Sequence, residues 1–382
     1  MVFLHSSIYY FEIRIFWAII YQNLKHFSFR RLFIVILFIL VFLFLQTFML
    51  LFRLLDEVFY PSYRKTKLKD PVFIISNPRS GTSYLHSLFC LDEDRFTYFM
   101  LYHTFFPSIL FYKFILLMKR IDSHLNWIFR RFFEWIEKKV FSGWQDIHPM
   151  GFEKSEEDEG IWALQMMSPA IGLMCPWFKE MDWICLADHL SEKKKERMMS
   201  FYKNTLQRFA YAWGKDKTIL VKNVLSTGRI NMIMKTFPDA RIIYPLRNPY
   251  QIVPSMTSMF TSPWPFIAPK IQKNSPEYRT WGDIIILFYR HFMDEIKKYN
   301  PDKFYSCTYE ELMDHPKDLV LEIYDHFGFN ASDEFLQRLI EETTKAREYK
   351  SKHEYSLEEY GYTMTEIYTP LKDVFEQYKF KA

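Results

Sequence analysis

The sequence contains few cysteines and few glycines, the residue types that dominate disulfide-rich, zinc-binding and low-complexity proteins. Its 382 residues include 4 cysteines and 10 glycines. The cysteines show no C-x-x-C spacing, which argues against a zinc module and against a disulfide-dense scaffold. With 49% hydrophobic and 25% charged residues, the chain is neither collagen-like nor disordered, and it is long enough for one catalytic-sized domain.

The sequence also lacks a large net charge. Its 49 Lys and Arg residues against 45 Asp and Glu residues leave a net charge of +4, too small to indicate a nucleic-acid-binding protein. We therefore predict no nucleic-acid partner, and any basic binding site must be local. Aromatic residues, in contrast, make up 19% of the chain, which is typical of a deep core, a membrane interface or both.

One long apolar run lies near the N-terminus. Every residue from 32 to 45 is apolar, and after two polar residues the run continues to residue 52. A helix of roughly 20 residues, rising 1.5 Å per residue, can cross a hydrocarbon core about 30 Å thick. We therefore predict one transmembrane helix over about 32–52. The alternative is a helix buried in a protein core, and basic residues on both sides of the run leave its orientation open.

The composition after this run suggests three regions. Residues 1–56 are predicted to form an interfacial segment followed by the transmembrane anchor. Residues 57–70 are polar, basic and interrupted by a proline, which is typical of a linker. Residues 71–382 are predicted to form the catalytic domain.

Within the third region, short apolar runs alternate with helical patterns. The runs lie at residues 72–76, 218–222, 241–246 and 304–309. Buried strands that alternate with helices indicate a parallel sheet covered on both faces. We therefore predict a three-layer α/β fold with a central, mostly parallel sheet and a mainly helical insertion between about 96 and 215.

The first apolar run ends in a sequence suited to binding an anion. Pro78 breaks the strand, and a helix is predicted to begin near Thr82. Backbone N–H groups and the positive end of the helix dipole converge at such a break, and Gly81 permits close approach of a ligand. Arg79, with the neighbouring hydroxyl side chains, supplies further donors. A plain strand-to-helix loop with a threonine cap is the simpler alternative.

This loop differs from the Walker A motif of ATP-binding proteins. Ser76 stands where that motif has its first glycine, and no lysine separates Gly81 from Thr82. No predicted strand ends in a carboxylate suited to Mg²⁺, and the run at 241–246 leads to Arg247 instead. The sequence therefore predicts an anionic nucleotide bound without metal, and no metal site.

Taken together, the ends of the first and third runs resemble the sulfotransferases that use 3′-phosphoadenosine-5′-phosphosulfate (PAPS). The resemblance extends over roughly residues 70–370 and implies a P-loop-like fold. It implies that the 5′-phosphosulfate is held by a loop comprising Pro78, Arg79, Ser80, Gly81, Thr82 and Ser83. It also implies that Arg247, and Ser255 eight positions later, bind the 3′-phosphate in a second, separate pocket. Asn248 departs from the aspartate usual in the family.

The same resemblance implies catalytic roles. Lys222 matches a lysine that contacts the scissile sulfate in the tyrosylprotein branch, and would stabilise the leaving group, while Arg79 would hold the phosphosulfate. The acidic run 155–159 favours Glu157, and then Glu156, as the base. The alternatives are a lysine that reaches solvent at a strand end, and a helix N-terminus capped by Ser155. The cytosolic branch uses a histidine base, so His148 and His103 also remain candidates.

The sequence thus predicts a membrane-anchored enzyme that moves a sulfuryl group from PAPS to an acceptor hydroxyl by in-line displacement, without metal. The acceptor is a saccharide, glycolipid, tyrosyl peptide or small metabolite, and the aromatic-rich region 96–140 mildly favours a lipid-linked or sugar-like one. A membrane-linked nucleotide phosphotransferase and a catalytically inactive scaffold are the alternatives. For a eukaryotic chain, the resemblance implies a Golgi membrane protein with a lumenal catalytic domain.

Overall fold

In the described residues, the central sheet contains five parallel strands. The computed structural model describes residues 5–124, 131, 154–214, 216–346 and 356–382. The strands are β1 (Val72–Ile75), β2 (Phe96–Tyr98), β3 (Thr218–Asn223), β4 (Arg241–Leu246) and β5 (Phe304–Thr308). Their spatial order is β2-β3-β1-β4-β5, and all neighbouring pairs are parallel. The four predicted strands are present, whereas β2 lies in a region that the sequence indicated to be helical.

Helices surround this sheet and extend toward the N-terminus. In the described residues they are α1 (Ile13–Lys25), α2 (Phe29–Phe59), α3 (Thr82–Cys90), α4 (Leu101–Phe105), α5 (Ile109–His124), α6 (Glu159–Leu164), α7 (Glu192–Ala212), α8 (Ile230–Thr236), α9 (Pro249–Thr261), α10 (Trp264–Ile267), α11 (Pro276–Glu295), α12 (Tyr309–Asp314), α13 (Pro316–His326), α14 (Asp333–Ala346) and α15 (Met364–Gln377). Short 3₁₀ turns connect several of them, including Pro61–Lys65 and Phe178–His189.

The central strand β1 has a buried hydrophobic core on each face. Phe73 and Ile75 belong to one cluster of buried residues, and Val72 and Ile74 belong to the other. Because successive side chains of a strand point to opposite faces, this division places packed layers above and below the sheet. The predicted three-layer α/β fold is therefore confirmed.

The strand order makes β1 the switch point of the sheet. From β1 the chain first forms β2 and β3 on one side, and it then forms β4 and β5 on the other. In open parallel sheets, ligands bind beyond the carboxyl ends of the strands at such a point. The fold therefore brings the residues after β1, β3 and β4 to one edge of the sheet.

The N-terminal helices pack on this domain. α2 is the one described helix that is long and apolar enough to cross a membrane, and 22% of its most apolar 18-residue stretch is buried. It contains the predicted span but continues to Phe59. The segment predicted as a linker differs from expectation, because the completely buried Tyr63 accepts a hydrogen bond from Asn204 of α7 at 2.9 Å.

Candidate active site

The loop between β1 and α3 has an unusual backbone. Arg79 has a φ of 69° and Gly81 a φ of 82°, both in the left-handed region. A Cβ at Gly81 would lie 2.9 Å from Leu312 Cδ2 and 3.1 Å from Tyr309 Cδ2. Glycine therefore meets two requirements here, a backbone angle that L-residues avoid and a close approach to α12. α3 begins directly after it, at Thr82.

Ser80 provides a test of whether the loop suits an anion. The residue is completely buried, and its hydroxyl has no hydrogen-bond partner among the described residues. A buried hydroxyl left without a partner costs about 1–3 kcal/mol. This donor lies one residue before the left-handed Gly81, at the positive end of α3, so the loop fits a phosphate- or sulfate-sized group.

The loop after β1 contacts the residues after β4 directly. Arg247 Nη1 donates to the Arg79 carbonyl at 3.1 Å, and Arg79 Nε donates to Ser255 Oγ at 3.3 Å. The Arg247 guanidinium also stacks over the Tyr309 ring, 4.2 Å from its centroid. The two predicted phosphate-binding motifs are therefore in direct contact with each other. Because β1 and β4 are adjacent strands, the two motifs form one continuous basic surface.

Asn248, the departure from the family pattern, lies at the start of α9. Its side-chain oxygen accepts a hydrogen bond from the Tyr250 amide at 2.9 Å. Asparagine and aspartate are both good N-caps, so the substitution keeps the cap that positions the start of this helix. Pro254 lies inside α9, and the helix continues past it to Thr261.

Lys222 at the end of β3 points into the site. Its side chain is 2% exposed, and Nζ donates to Ser83 Oγ at 3.2 Å. Nζ also lies 3.5 Å from Glu157 Oε1. The alternative of a lysine that reaches solvent is therefore wrong. Since β3 pairs with β1, this ammonium group lies beside the first turn of α3.

The two candidate glutamates have different surroundings. Glu157 has a side chain that is 18% exposed and faces Lys222. Glu156 is buried, and its Oε1 accepts a hydrogen bond from the Glu157 amide at 3.1 Å. The Glu156 amide donates in turn to the Phe99 carbonyl at 2.8 Å. Glu156 therefore holds the local backbone, whereas Glu157 presents a carboxylate to the site.

Behind these residues lies a buried polar network that the sequence did not predict. Asp158 accepts hydrogen bonds from Tyr202 and Asn223. Burial raises the pKa of the Asp158 carboxyl to about 7, although these two hydrogen bonds act to lower it. Glu159 accepts from Asn223 Nδ2 at 2.7 Å and from Arg229 Nη1 at 3.1 Å. The network ties the acidic run to the end of β3, and the available sequence signal was Asn223, directly after Lys222.

The expectation that Ser155 caps a helix is wrong. α6 begins at Glu159 with Asp158 in the cap position, and the Asp158 side chain bonds to the network instead of to the helix. Ser155 forms an antiparallel bridge with Met100. The acidic run is therefore an extended segment that crosses the sheet edge.

Of the two histidine candidates, His103 lies in the described residues, and its surroundings do not support a role as the base. His103 is completely buried among aromatic rings, and its Nδ1 accepts a hydrogen bond from the Met100 amide at 3.0 Å. Burial lowers the pKa of His103 well below the ordinary value. His148 lies outside the described residues. A third histidine, His86, is also buried, and burial followed by the Lys222 charge lowers its pKa well below normal.

Within the described part of the chain, no three His, Cys, Asp or Glu side chains are grouped closely enough to hold a metal ion. The groups that the site does offer are cations and hydroxyl donors: Arg79, Ser80, Ser83, Lys222, Arg247 and Ser255. Among these groups, the Lys222 ammonium faces a carboxylate, that of Glu157. Such an arrangement suits transfer of an anionic group from an anionic donor.

A family model described as "Sulfotransferase family" matches residues 71–333. The chain belongs to the sulfotransferase family. It is 25% identical over 303 residues to an omega-hydroxy-beta-dihydromenaquinone-9 sulfotransferase of Mycobacterium bovis and to one of Mycobacterium tuberculosis, an alignment that covers 77% of this chain and 72% of each relative.

Two crystal structures of mycobacterial sulfotransferases share the fold. The enzyme STF9 from Mycobacterium avium has a TM-score of 0.67 and 16% identity, covering 85% of this chain and 81% of that one. The enzyme STF1 from Mycobacterium tuberculosis has a TM-score of 0.64 and 21% identity, covering 87% and 84%. The protein is thus an enzyme that transfers a sulfuryl group, and neither a phosphotransferase nor an inactive scaffold is favoured.

Proposed function

We propose that this sulfotransferase uses PAPS as its donor and transfers the sulfuryl group to a hydroxyl on a lipid-borne acceptor. The observation that carries the proposal is the direct contact between the two strand-end motifs, through Arg79, Arg247 and Ser255. A ligand with anionic groups at both ends of one nucleotide matches this continuous basic surface. The buried, unpartnered hydroxyl of Ser80 supports the same assignment.

Each part of the donor has residues suited to hold it. The 5′-phosphosulfate fits the loop of Pro78, Arg79, Ser80, Gly81, Thr82 and Ser83, where backbone amides and hydroxyls donate. The 3′-phosphate fits Arg247 and Ser255, since a guanidinium gives two parallel hydrogen bonds to a phosphate. When bound, PAPS supplies the sulfuryl group and a nucleotide bisphosphate as the leaving group.

Two side chains are proposed to act on the reacting atoms. Lys222, buried and hydrogen-bonded to Ser83, is positioned to neutralise charge that develops on the leaving phosphate. Glu157, 3.5 Å from the Lys222 ammonium, accepts the proton of the acceptor hydroxyl. Arg79 holds the donor in place, and Glu156 fixes the backbone that carries Glu157.

The acceptor assignment draws on the relatives and on the surface of the protein. The mycobacterial relatives are named for an omega-hydroxy menaquinone, a lipid that carries a hydroxyl group. The apolar helix α2 lies on the same domain as the site, so a membrane-borne acceptor is favoured over a free saccharide or a peptide. α2 is proposed to hold the enzyme at a membrane. The relatives are bacterial, and they give no support to a Golgi location.

The donor proposal is tested by calorimetry with adenosine 3′,5′-bisphosphate, the leaving group of PAPS. We expect binding by wild type without added metal, and a loss of about 1.5–3 kcal/mol in binding free energy for Arg247→Ala. Arg290→Ala, which removes a surface ion pair with Asp373, is the matched control and should bind normally. No heat of binding by folded wild type would refute the donor assignment.

The acceptor is tested by transfer of labelled sulfate from PAPS into separate lipid, glycan and peptide extracts. We expect label in the lipid fraction with wild type and none with Lys222→Ala. Lys235→Ala, an exposed lysine on α8, serves as the control and should retain transfer. Label in the glycan or peptide fraction alone would reject the lipid acceptor while keeping the sulfotransferase reaction.

A further inference from the structure

α2 has two faces that run along its whole length. The buried side chains recur at helical spacing on one face: Val35, Phe42, Gln46, Met49, Arg53 and Asp56. On the opposite face, apolar side chains that are half exposed or more recur at the same spacing: Phe33, Leu37, Leu40, Phe44, Leu51 and Val58. A helix surrounded by lipid needs no buried polar stripe, so α2 is a helix with one protein-facing side.

Hydrogen bonds join the protein-facing side of α2 to the catalytic domain at several positions along the helix axis. Arg31 Nε donates to the Ile267 carbonyl at 3.1 Å, near the N-terminal end of α2. Gln46 Nε2 donates to the Leu164 carbonyl at 2.6 Å, near the middle.

The C-terminal end of α2 is held in the same way. Arg53 Nη1 donates to Thr205 Oγ1 at 2.8 Å, and Asp56 pairs with Arg208 at 3.0 Å. Both partners belong to α7. The catalytic domain therefore lies against α2 from its first turn to its last.

This contact pattern conflicts with a helix that crosses the bilayer. Arg31 and Arg53 lie about 33 Å apart along the helix axis, which exceeds the hydrocarbon thickness of about 30 Å. If α2 crossed the membrane, loops and helix ends of the catalytic domain would have to enter the hydrocarbon alongside it. Irregular backbone exposed to lipid is not tolerated there, because its polar groups lose their hydrogen bonds.

Two neighbouring helices enlarge the exposed apolar face. α1 packs on α2 through Phe16, whose ring centroid lies 5.5 Å from that of Phe42, and it exposes Ile13, Trp17, Tyr21 and Leu24 on one side. α5 packs on α2 through Phe111, 5.8 Å from Phe48, and exposes Phe114 and Leu117. Exposed apolar side chains on three packed helices are typical of a surface that contacts a membrane or another protein.

The charges of these three helices identify the partner as an anionic lipid surface. The exposed charged residues are all basic: Arg14, Lys25, Arg30, Lys113 and Arg120. The acidic side chains, Asp56, Glu57 and Asp122, are buried or ion-paired. Exposed aromatic and aliphatic side chains flanked by lysines and arginines are typical of helices that lie in the headgroup region.

We infer that α1, α2 and α5 form a membrane-docking surface that lies in one leaflet of a bilayer containing anionic lipids, with α2 parallel to the membrane plane instead of crossing it. Both ends of α2 and the catalytic domain are then on the same side of the membrane. This inference concerns membrane attachment alone, and its tests do not depend on sulfuryl transfer.

The topology is tested by cysteine labelling of the full chain in sealed membrane vesicles. The four native cysteines are all buried, so a membrane-impermeant maleimide reports on introduced cysteines. Lys25→Cys lies before α2, Lys65→Cys lies after it, and Asp239→Cys marks the exposed surface of the catalytic domain. We expect all three to react from the same side. Reaction of Lys25→Cys and Lys65→Cys from opposite sides would overturn the inference.

The surface is tested by flotation of the purified chain with vesicles of phosphatidylcholine, with and without phosphatidylglycerol. We expect flotation that increases with phosphatidylglycerol, and a decrease of about tenfold in the double variant Leu40→Glu/Phe44→Glu. Ile340→Glu, at an exposed apolar position on α14, is the matched control and should float normally. A stable dimer that the double variant abolishes, with no flotation of wild type, would assign the surface to a second copy and reject the inference.

Discussion

Glu157 and Glu156 are neighbours in the sequence, but their carboxylates contact different groups. Glu157 faces Lys222, whereas Glu156 accepts a backbone hydrogen bond from its neighbour. We expect Glu157→Gln to lower kcat by about 10²–10⁴-fold, because an amide cannot accept the acceptor's proton. Glu156→Gln should retain most activity, since its amide oxygen still accepts the backbone N–H. Steady-state transfer from labelled PAPS measures both variants, and equal losses would assign the base elsewhere.

Between about pH 4 and about pH 7, the Asp158 carboxyl of the folded protein holds a proton that the unfolded chain has lost. Its pKa rises to about 7 in the fold, from an ordinary value of 3.8. The free energy of unfolding should therefore contain a contribution that is complete below about pH 4 and is lost as the pH rises through about 7.

The matching experiment compares wild type with Asp158→Asn, whose amide imitates the protonated carboxyl. Urea unfolding at about pH 5 and about pH 8 should show the stability difference shifting in favour of the variant at the higher pH. A difference that does not change with pH would mean that Asp158 is ionised throughout this range.

At the scale of elements, the loop between β1 and α3 depends on a glycine for two separable reasons. Gly81→Ala would impose a left-handed backbone on alanine, at about 1–2 kcal/mol, and would also crowd Leu312. Gly328, with a φ of 65° and no atom within 4 Å of an added Cβ, isolates the first effect.

We expect Gly81→Ala to destabilise the protein by about 2–4 kcal/mol and Gly328→Ala by about 1–2 kcal/mol. Only the first should weaken binding of adenosine 3′,5′-bisphosphate. Chemical unfolding and calorimetry measure the two properties, and normal nucleotide binding by a folded Gly81→Ala variant would show that the loop does not hold the donor.

Local signals in the sequence predicted most elements correctly. The apolar runs indicated β1, β3, β4 and β5, and the helix after β1 begins at Thr82, as predicted. β2 was missed because it has only three residues, Phe96–Tyr98, too few for a recognisable alternation. Its place at the sheet edge depends on pairing with β3, which is a tertiary contact.

The contacts within the site could not be predicted from the sequence. The hydrogen bond from Arg247 to the Arg79 carbonyl depends on the adjacency of β1 and β4. The approach of Lys222 to Glu157 depends on how an extended segment crosses the end of β3. The sequence could name these residues through the resemblance, but it could not place them relative to one another.

For the whole molecule, Arg53 determines how the N-terminal region is attached. It is completely buried, and its guanidinium donates to three carbonyls and to the side chains of Thr205 and Asn204. The apolar run around it led the sequence analysis to a transmembrane helix. Gln46, Arg53 and Asp56 recur at helical spacing within α2 and mark the face that contacts protein.

We expect Arg53→Ala to destabilise the whole protein by about 3–5 kcal/mol, because several buried carbonyls and side chains lose their donor. Leu54→Ala, at the next and partly exposed position, should change stability by less than about 1 kcal/mol. Thermal unfolding in a mild detergent compares them. Equal midpoints would show that the N-terminal region is attached independently of the catalytic domain.

The buried Tyr63, held by Glu57 and by Asn204, affects what happens when the backbone is cut. The stretch that follows it exposes Arg64, Lys65, Lys67 and Lys69, which are good sites for a trypsin-like protease. Cleavage there would break the chain but leave its two fragments bound to each other. The reason is that α2, before the cut, still packs against α7, after the cut. After a cut in this stretch, the catalytic domain is therefore expected to stay attached to the N-terminal helices.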